Sequence, residues 1–127
     1  MIVADMMVKY DDLPLVKAST KMDQALLTMT EKNLGAVLAV DENGNLEGIV
    51  TDGDLKRHMA PDLLEKPVSE IMTANPKSIS SKALAVEALD MMTKTPGRYL
   101  TSLIVTDENG KLAGMIRLQD CLQAGLA

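Results

Sequence analysis

The chain has 127 residues, 46% of them hydrophobic, with a formal net charge of −5 and one cysteine. That length is one ordinary domain or two very small ones, with too much apolar content for a disordered chain. The acidic balance argues against bulk binding to nucleic acid or anionic lipid, though it allows a local basic pocket for a small anion.

The opening MIVADMMVKY is apolar but carries Asp5 and no basic leader, so it is not read as a secretion signal. A short helical opener ending in Met leads to an extended piece, LPLV (13–16). Ser19 or Thr20 is placed to cap a helix whose apolar residues Met22, Ala25, Leu26 and Met29 recur at helical spacing. An apolar strand follows, AVLAV (36–40), then DENG (41–44), read as a hairpin turn from its Asn-Gly pair. A second strand, LEGIV (46–50), runs into a last helix at DLKRHM (54–59). The connector APDLLEKP (60–67) is bounded by Pro61 and Pro67.

The same order then returns. VSEIM (68–72) is the opener and PKSI (76–79) the extended piece; Ser80 or Ser81 is the cap, with Leu84, Ala88, Leu89 and Met92 as the stripe. SLIV (102–105), DENG (107–110), LAGMI (112–116) and DCLQAG (120–125) complete it. Laid on itself, VDENGNLEGIV (40–50) matches TDENGKLAGMI (106–116), pairing Asp41 with Asp107, Gly48 with Gly114 and Asp54 with Asp120, each 66 positions on. The fold expected is α/β (α+β), two β-α-β-β-α repeats over 1–60 and 68–127 joined by a linker at 61–67. A unit this small is marginal alone, so the two are expected to share a core as a pseudo-twofold pair. Phe and Trp are absent and Met occurs 10 times; this is either composition drift in an aliphatic core or the mark of adaptable packing.

Cys121, the sole cysteine, excludes an intrachain disulfide and makes a reducing, cytoplasmic setting the expectation. No apolar run approaches the roughly 18–20 residues that span a bilayer. DENGNLEG and DGDLKRHMAPD lack the oxygen ligands and terminal Glu of a calcium loop. His58 and Cys121 have no partners at metal or catalytic spacing, so neither a metal site nor a catalytic residue is read. LKRH (55–58) is a short basic run, either plainly solvated or facing an anion.

The doubled unit, with VSEIMTANPKSI, VDENGNLEGIVTDGDL and TDENGKLAGMIRLQD, resembles a tandem CBS domain, the Bateman module. The likeness covers essentially the whole chain. GIVTDGDLKR, MTANPKSI and the closing DCLQAGLA are similar to the C-terminal regulatory region of bacterial arabinose-5-phosphate isomerases, which feed Kdo synthesis. Such isomerases carry a sugar-isomerase (SIS) domain before the CBS pair, and both repeats use up this chain. The expectation is therefore a non-catalytic regulatory fragment or a free-standing CBS protein, homodimeric as the family implies.

The segment Gly48-Ile49-Val50-Thr51-Asp52-Gly53-Asp54 sits where the last strand hands over to the last helix. On one reading Thr51 caps the helix while Asp52 and Asp54 complement its dipole. On the other, implied by the resemblance, a nucleotide or sugar-nucleotide binds: phosphate near Thr51, ribose diol on Asp54, room for the ligand over Gly53. In the second copy Asp120 is kept, but Arg117 replaces the hydroxyl. Arg117 either grips an anion or fills the site and excludes a nucleotide. The resemblance further implies crossed clefts. Pro76, Lys77, Leu100, Thr101 and Ser102 are expected around Asp54, and Leu13, Pro14, Leu34, Gly35 and Ala36 around Asp120. The apolar members either sandwich a base or simply pack in the core. PGRYLTSLIV departs from the shorter strand common in the family, with Arg98 and Tyr99 lining the first cleft or covering it. CMP-Kdo, with a ribose, a phosphate and a carboxylate, or AMP, ADP or ATP is the regulatory ligand expected; the rival reading is a structural, dimerising module with empty clefts.

Overall fold

The computed structural model describes residues 1–94 and 100–126, so Arg98 and Tyr99 lie outside the described residues. In chain order, a 3-10 turn at Val3–Asp5 leads to β1 (Val8–Lys9), a second such turn at Tyr10–Asp12, β2 (Leu15–Val16), α1 (Met22–Lys32), β3 (Ala36–Val40), β4 (Leu46–Thr51) and α2 (Asp52–Arg57). A third turn at Leu63–Glu65 precedes α3 (Val68–Ile71), β5 (Ser78–Ser80), α4 (Ala85–Thr93), β6 (Ser102–Thr106), β7 (Leu112–Arg117) and α5 (Leu118–Gln123). The α/β class and the doubled order expected from sequence are the ones observed.

Two compact units divide the chain: Asp12–Pro76, and Met1–Asp11 with Lys77–Ala127. The first holds a three-stranded sheet, β2-β3-β4, with β2 parallel and β4 antiparallel to β3. The second repeats it as β5-β6-β7 and adds β1 beside β7, in the order β1-β7-β6-β5. Packing thus cuts the chain at other places than sequence similarity does. Each unit takes its opener from the other repeat: Val8 pairs with Met115 in one, and Thr73 bridges Ile49 in the other. The connector is more than a tether, because Leu63 is buried in the first core.

The first core sets Met22, Ala25 and Met29 of α1 against Val37, Ala39 and Val50, closed by Val68 and Ile71. The second sets Ala88 and Met92 of α4 against Leu103, Val105 and Ile116. The middle strands are nearly all apolar, as strands covered on both faces are. Asn33 ends α1 in the left-handed conformation at φ 54, its N–H bonding the Met29 carbonyl at 2.9 Å.

Two local expectations are corrected. Neither middle helix has the hydroxyl cap read at Ser19, Thr20, Ser80 or Ser81; the N-cap residues are Lys21 and Leu84. The first-turn N–H groups of Met22 and Ala85 instead donate to the backbone carbonyls of Lys66 and Met1, both at 2.9 Å, so the chain entering each opener does the capping. Leu84 therefore lies outside the buried stripe, 49% exposed, and Ala85 takes its place. The DENG hairpins expected from sequence are observed, each joining two antiparallel strands. Within these turns Gly44 and Gly110 take the positive φ, while Asp41 and Asp107 each accept two backbone N–H bonds across the loop.

Candidate functional site

Strand β4 ends at Thr51 in extended conformation and α2 begins at once, which brings Asp54 around to face its own N-cap. Asp54 is 2% exposed, and it is the buried charged residue among the described residues. Oδ2 accepts from the Thr51 N–H at 2.8 Å and from the Thr51 hydroxyl at 3.1 Å. Oδ1 accepts from Nη2 of Arg57 and from the Thr73 hydroxyl, each at 2.6 Å. A carboxylate offers about four lone-pair sites, and here all four are met. Burial pushes the Asp54 carboxyl up, but the donors together outweigh it, the Thr73 hydroxyl first, and hold it below the usual carboxylate range.

The capping reading of this stretch is therefore real, and it changes what the other residues do. Thr51, expected to offer its hydroxyl to a phosphate, donates it to Asp54. The space expected over Gly53 is occupied by Arg57: a Cβ there would meet Nη1 at 3.2 Å. Asp52 is an exposed first-turn residue.

In the second unit Asp120 stands at the same point of α5, held from the other side. Its Oδ2 accepts from the Arg117 N–H and Nε, both at 3.1 Å, and its Oδ1 from Nη2 at 2.8 Å. Arg117 thus grips its own carboxylate. Cys121 beside it is fully buried, and burial together with the Asp120 charge pushes its thiol up, which keeps it protonated and unreactive.

The remaining expected residues fall into two groups. Register places Ala36 opposite Thr51 and Ser102 opposite Arg117, so each unit carries one of them beside its own anchor. The Thr101 carbonyl accepts the first-turn N–H of Leu118 at 2.8 Å. Gly35 is exposed with φ 74, next to half-buried Leu34. Pro14 and Lys77 are equivalent: their carbonyls accept from Leu38 at 2.9 Å and Ile104 at 3.1 Å. Leu13 is buried, Leu100 packs against the second core, and Pro76 is half-buried. Sequence reading missed two members of the Asp54 cluster. Arg57 was legible as an i,i+3 partner on a short helix. Thr73, 19 residues away, carried no local signal.

Among the described residues no group of His, Cys, Asp and Glu could hold a metal ion, and no helix is long and apolar enough to cross a membrane. A family model described as CBS domain matches residues 3–61 and 68–127. Arabinose 5-phosphate isomerase KdsD of Escherichia coli K12 is 38% identical over 126 residues, which is 98% of this chain but 37% of that protein's length. The solved structure of the CBS-pair protein CBSX2 from Arabidopsis thaliana superposes with a TM-score of 0.81 at 28% identity, covering 98% of this chain and 94% of that one. CBSX2 in complex with AMP superposes equally well, with a TM-score of 0.81 at 27% identity, covering 98% and 96%.

Proposed function

Because the chain belongs to the CBS domain family, we propose that it is the regulatory, ligand-binding part of an arabinose-5-phosphate isomerase. It binds a nucleotide or sugar-nucleotide, CMP-Kdo or one of AMP, ADP and ATP, and the bound ligand shifts turnover in an attached SIS domain. The kinship with KdsD supports the parent enzyme, and the AMP complex of CBSX2 supports the ligand class. The observation that carries the reading is the pair of equivalent carboxylates, Asp54 and Asp120, each three residues past the end of a strand. A ribose diol offers two O–H donors, the match for an acceptor-only carboxylate. Thr51, Lys77 and the residues flanking β2, β3, β5 and β6 are proposed as the remaining contacts. The chain itself performs no catalysis on this reading.

Calorimetric titration with CMP-Kdo and with AMP, ADP and ATP tests it. Saturable heat and a raised melting temperature with one of these ligands are expected. Absence of both at millimolar ligand would refute a regulatory ligand of this class.

A second reading, a dimerising module whose carboxylates serve only the fold, is favoured by two observations. Leu27, Met59, Leu64, Leu84, Val86 and Leu122 are large, apolar and exposed. The four acceptor positions of Asp54 are also already filled. Sedimentation showing a tight homodimer that takes up none of the four ligands would decide for it.

A further inference from the structure

Asp54 and Asp120 occupy the same place in their repeats but draw their cations from opposite directions. Arg57 comes three residues after Asp54, and Arg117 three residues before Asp120. The difference sets what an incoming diol must displace. At Asp54 the carboxylate side chain is only 3% exposed, but the cation covering it is held by a single prong from a side chain that is 61% exposed, so that cation can swing back into water at little cost and uncover the carboxylate. The fourth donor there is the neutral hydroxyl of Thr73, itself an exposed residue.

At Asp120 neither exchangeable donor exists. Gln123 stands where Arg57 does, and Val8 where Thr73 does. The guanidinium of Arg117 instead spans both carboxylate oxygens, with the two side chains only 21% and 14% exposed. A two-pronged guanidinium is a stronger and more directional partner for a carboxylate than neutral hydroxyls are. A diol that took its place would leave a partly buried cation without its acceptor.

We infer that the two anchors are inequivalent: the protein takes one diol-bearing ligand per chain, at Asp54, and Arg117 closes Asp120 against it. This rests on the nucleotide-binding reading above and says which half of it operates.

Isothermal titration of the full chain with AMP and with CMP-Kdo tests it, because stoichiometry in the unaltered protein needs no variant. One site per chain is the expected result. Asp54→Asn is expected to weaken binding by about tenfold or more, the equivalent of one hydrogen bond to a charged group. Arg117→Thr, which restores the residue type found at Thr51, is expected to raise the stoichiometry to two. Two equal sites in the unaltered protein would overturn the inference while leaving the nucleotide reading intact. So would an Arg117→Thr protein that melts cooperatively yet still binds once, or an Asp54→Asn protein that binds undiminished. No binding by any of the three proteins would remove both.

Discussion

The Thr73 hydroxyl lies 2.6 Å from Oδ1 of Asp54, a hydrogen bond that spans 19 residues of sequence and fastens the segment after α3 to the start of α2. It joins the opener of one repeat to the last helix of the other, at the same place where Ile49 and Thr73 exchange backbone bonds. Thr73→Val keeps the shape and removes the donor, leaving a buried carboxylate one partner short. The expected cost is about 1.5–3 kcal/mol, the range for bonds to charged groups, read from urea unfolding. Thr73→Ser should restore most of it. A Thr73→Val protein as stable as the parent would show that the bond contributes nothing.

The same carboxylate sets a pH dependence. Burial raises the Asp54 carboxyl, and the donors, led by Thr73, more than offset it, so the folded protein holds the proton less tightly than the unfolded chain does. The resulting stability is complete above the ordinary carboxylate value of about 3.9 and is lost as pH falls through the lower folded value. Asp54→Asn removes this contribution. The difference in unfolding free energy between parent and Asp54→Asn should therefore be largest near neutral pH and shrink as the pH falls below the ordinary carboxylate value of about 3.9. A gap that widened on acidification would contradict the assigned direction.

Two glycines mark where the openers cross the sheets. A Cβ at Gly48 would sit 2.6 Å from the Met72 Sδ and 3.0 Å from the Thr73 carbonyl; one at Gly114 would run into the Val8 carbonyl, with the Met7 Sδ at 2.9 Å. The thioether of Met72 can swing aside, whereas the β1 backbone is tied to β7 by its register. Alanine at either position is expected to destabilise by about 1–3 kcal/mol, as overpacking does, with Gly114→Ala the worse of the two. Thermal melts of the two variants give the order directly, and a milder Gly114→Ala would argue that β1 yields easily.

What could be read in advance divides by range of interaction. The repeat, the order of elements and the carboxylates Asp54 and Asp120 were legible because DENG, Gly48, Gly114 and the apolar strands are local signals that occur twice. The cap of α1 was not, since its donor partner is the Lys66 carbonyl, far along the chain and of a type every residue carries. The exchange of openers was hidden for the same reason: VADMM and VSEIM look alike, and nothing in either says which sheet it will join. Thr51 and Arg117 show a third limit. These residues were expected to face a ligand, and in the structure they bond the neighbouring carboxylate themselves.

The slip along α4 gives the sharpest check on the packing. Apolar spacing alone offers Leu84, Ala88 and Met92 as the inward stripe, but α4 begins one residue later, so Ala85 is 1% exposed and Leu84 is 49% exposed. This matches α1, where Met22, Ala25 and Met29 face inward at the corresponding turns. Ala85→Glu would bury a charge at a site 1% exposed, a change expected to cost more than about 3 kcal/mol or to prevent folding. Leu84→Glu leaves a charge in water at a helix start and should change stability by no more than about 0.5 kcal/mol. Circular-dichroism melts of the two variants separate the registers, because the spacing in the sequence, taken without the backbone, demands the opposite order.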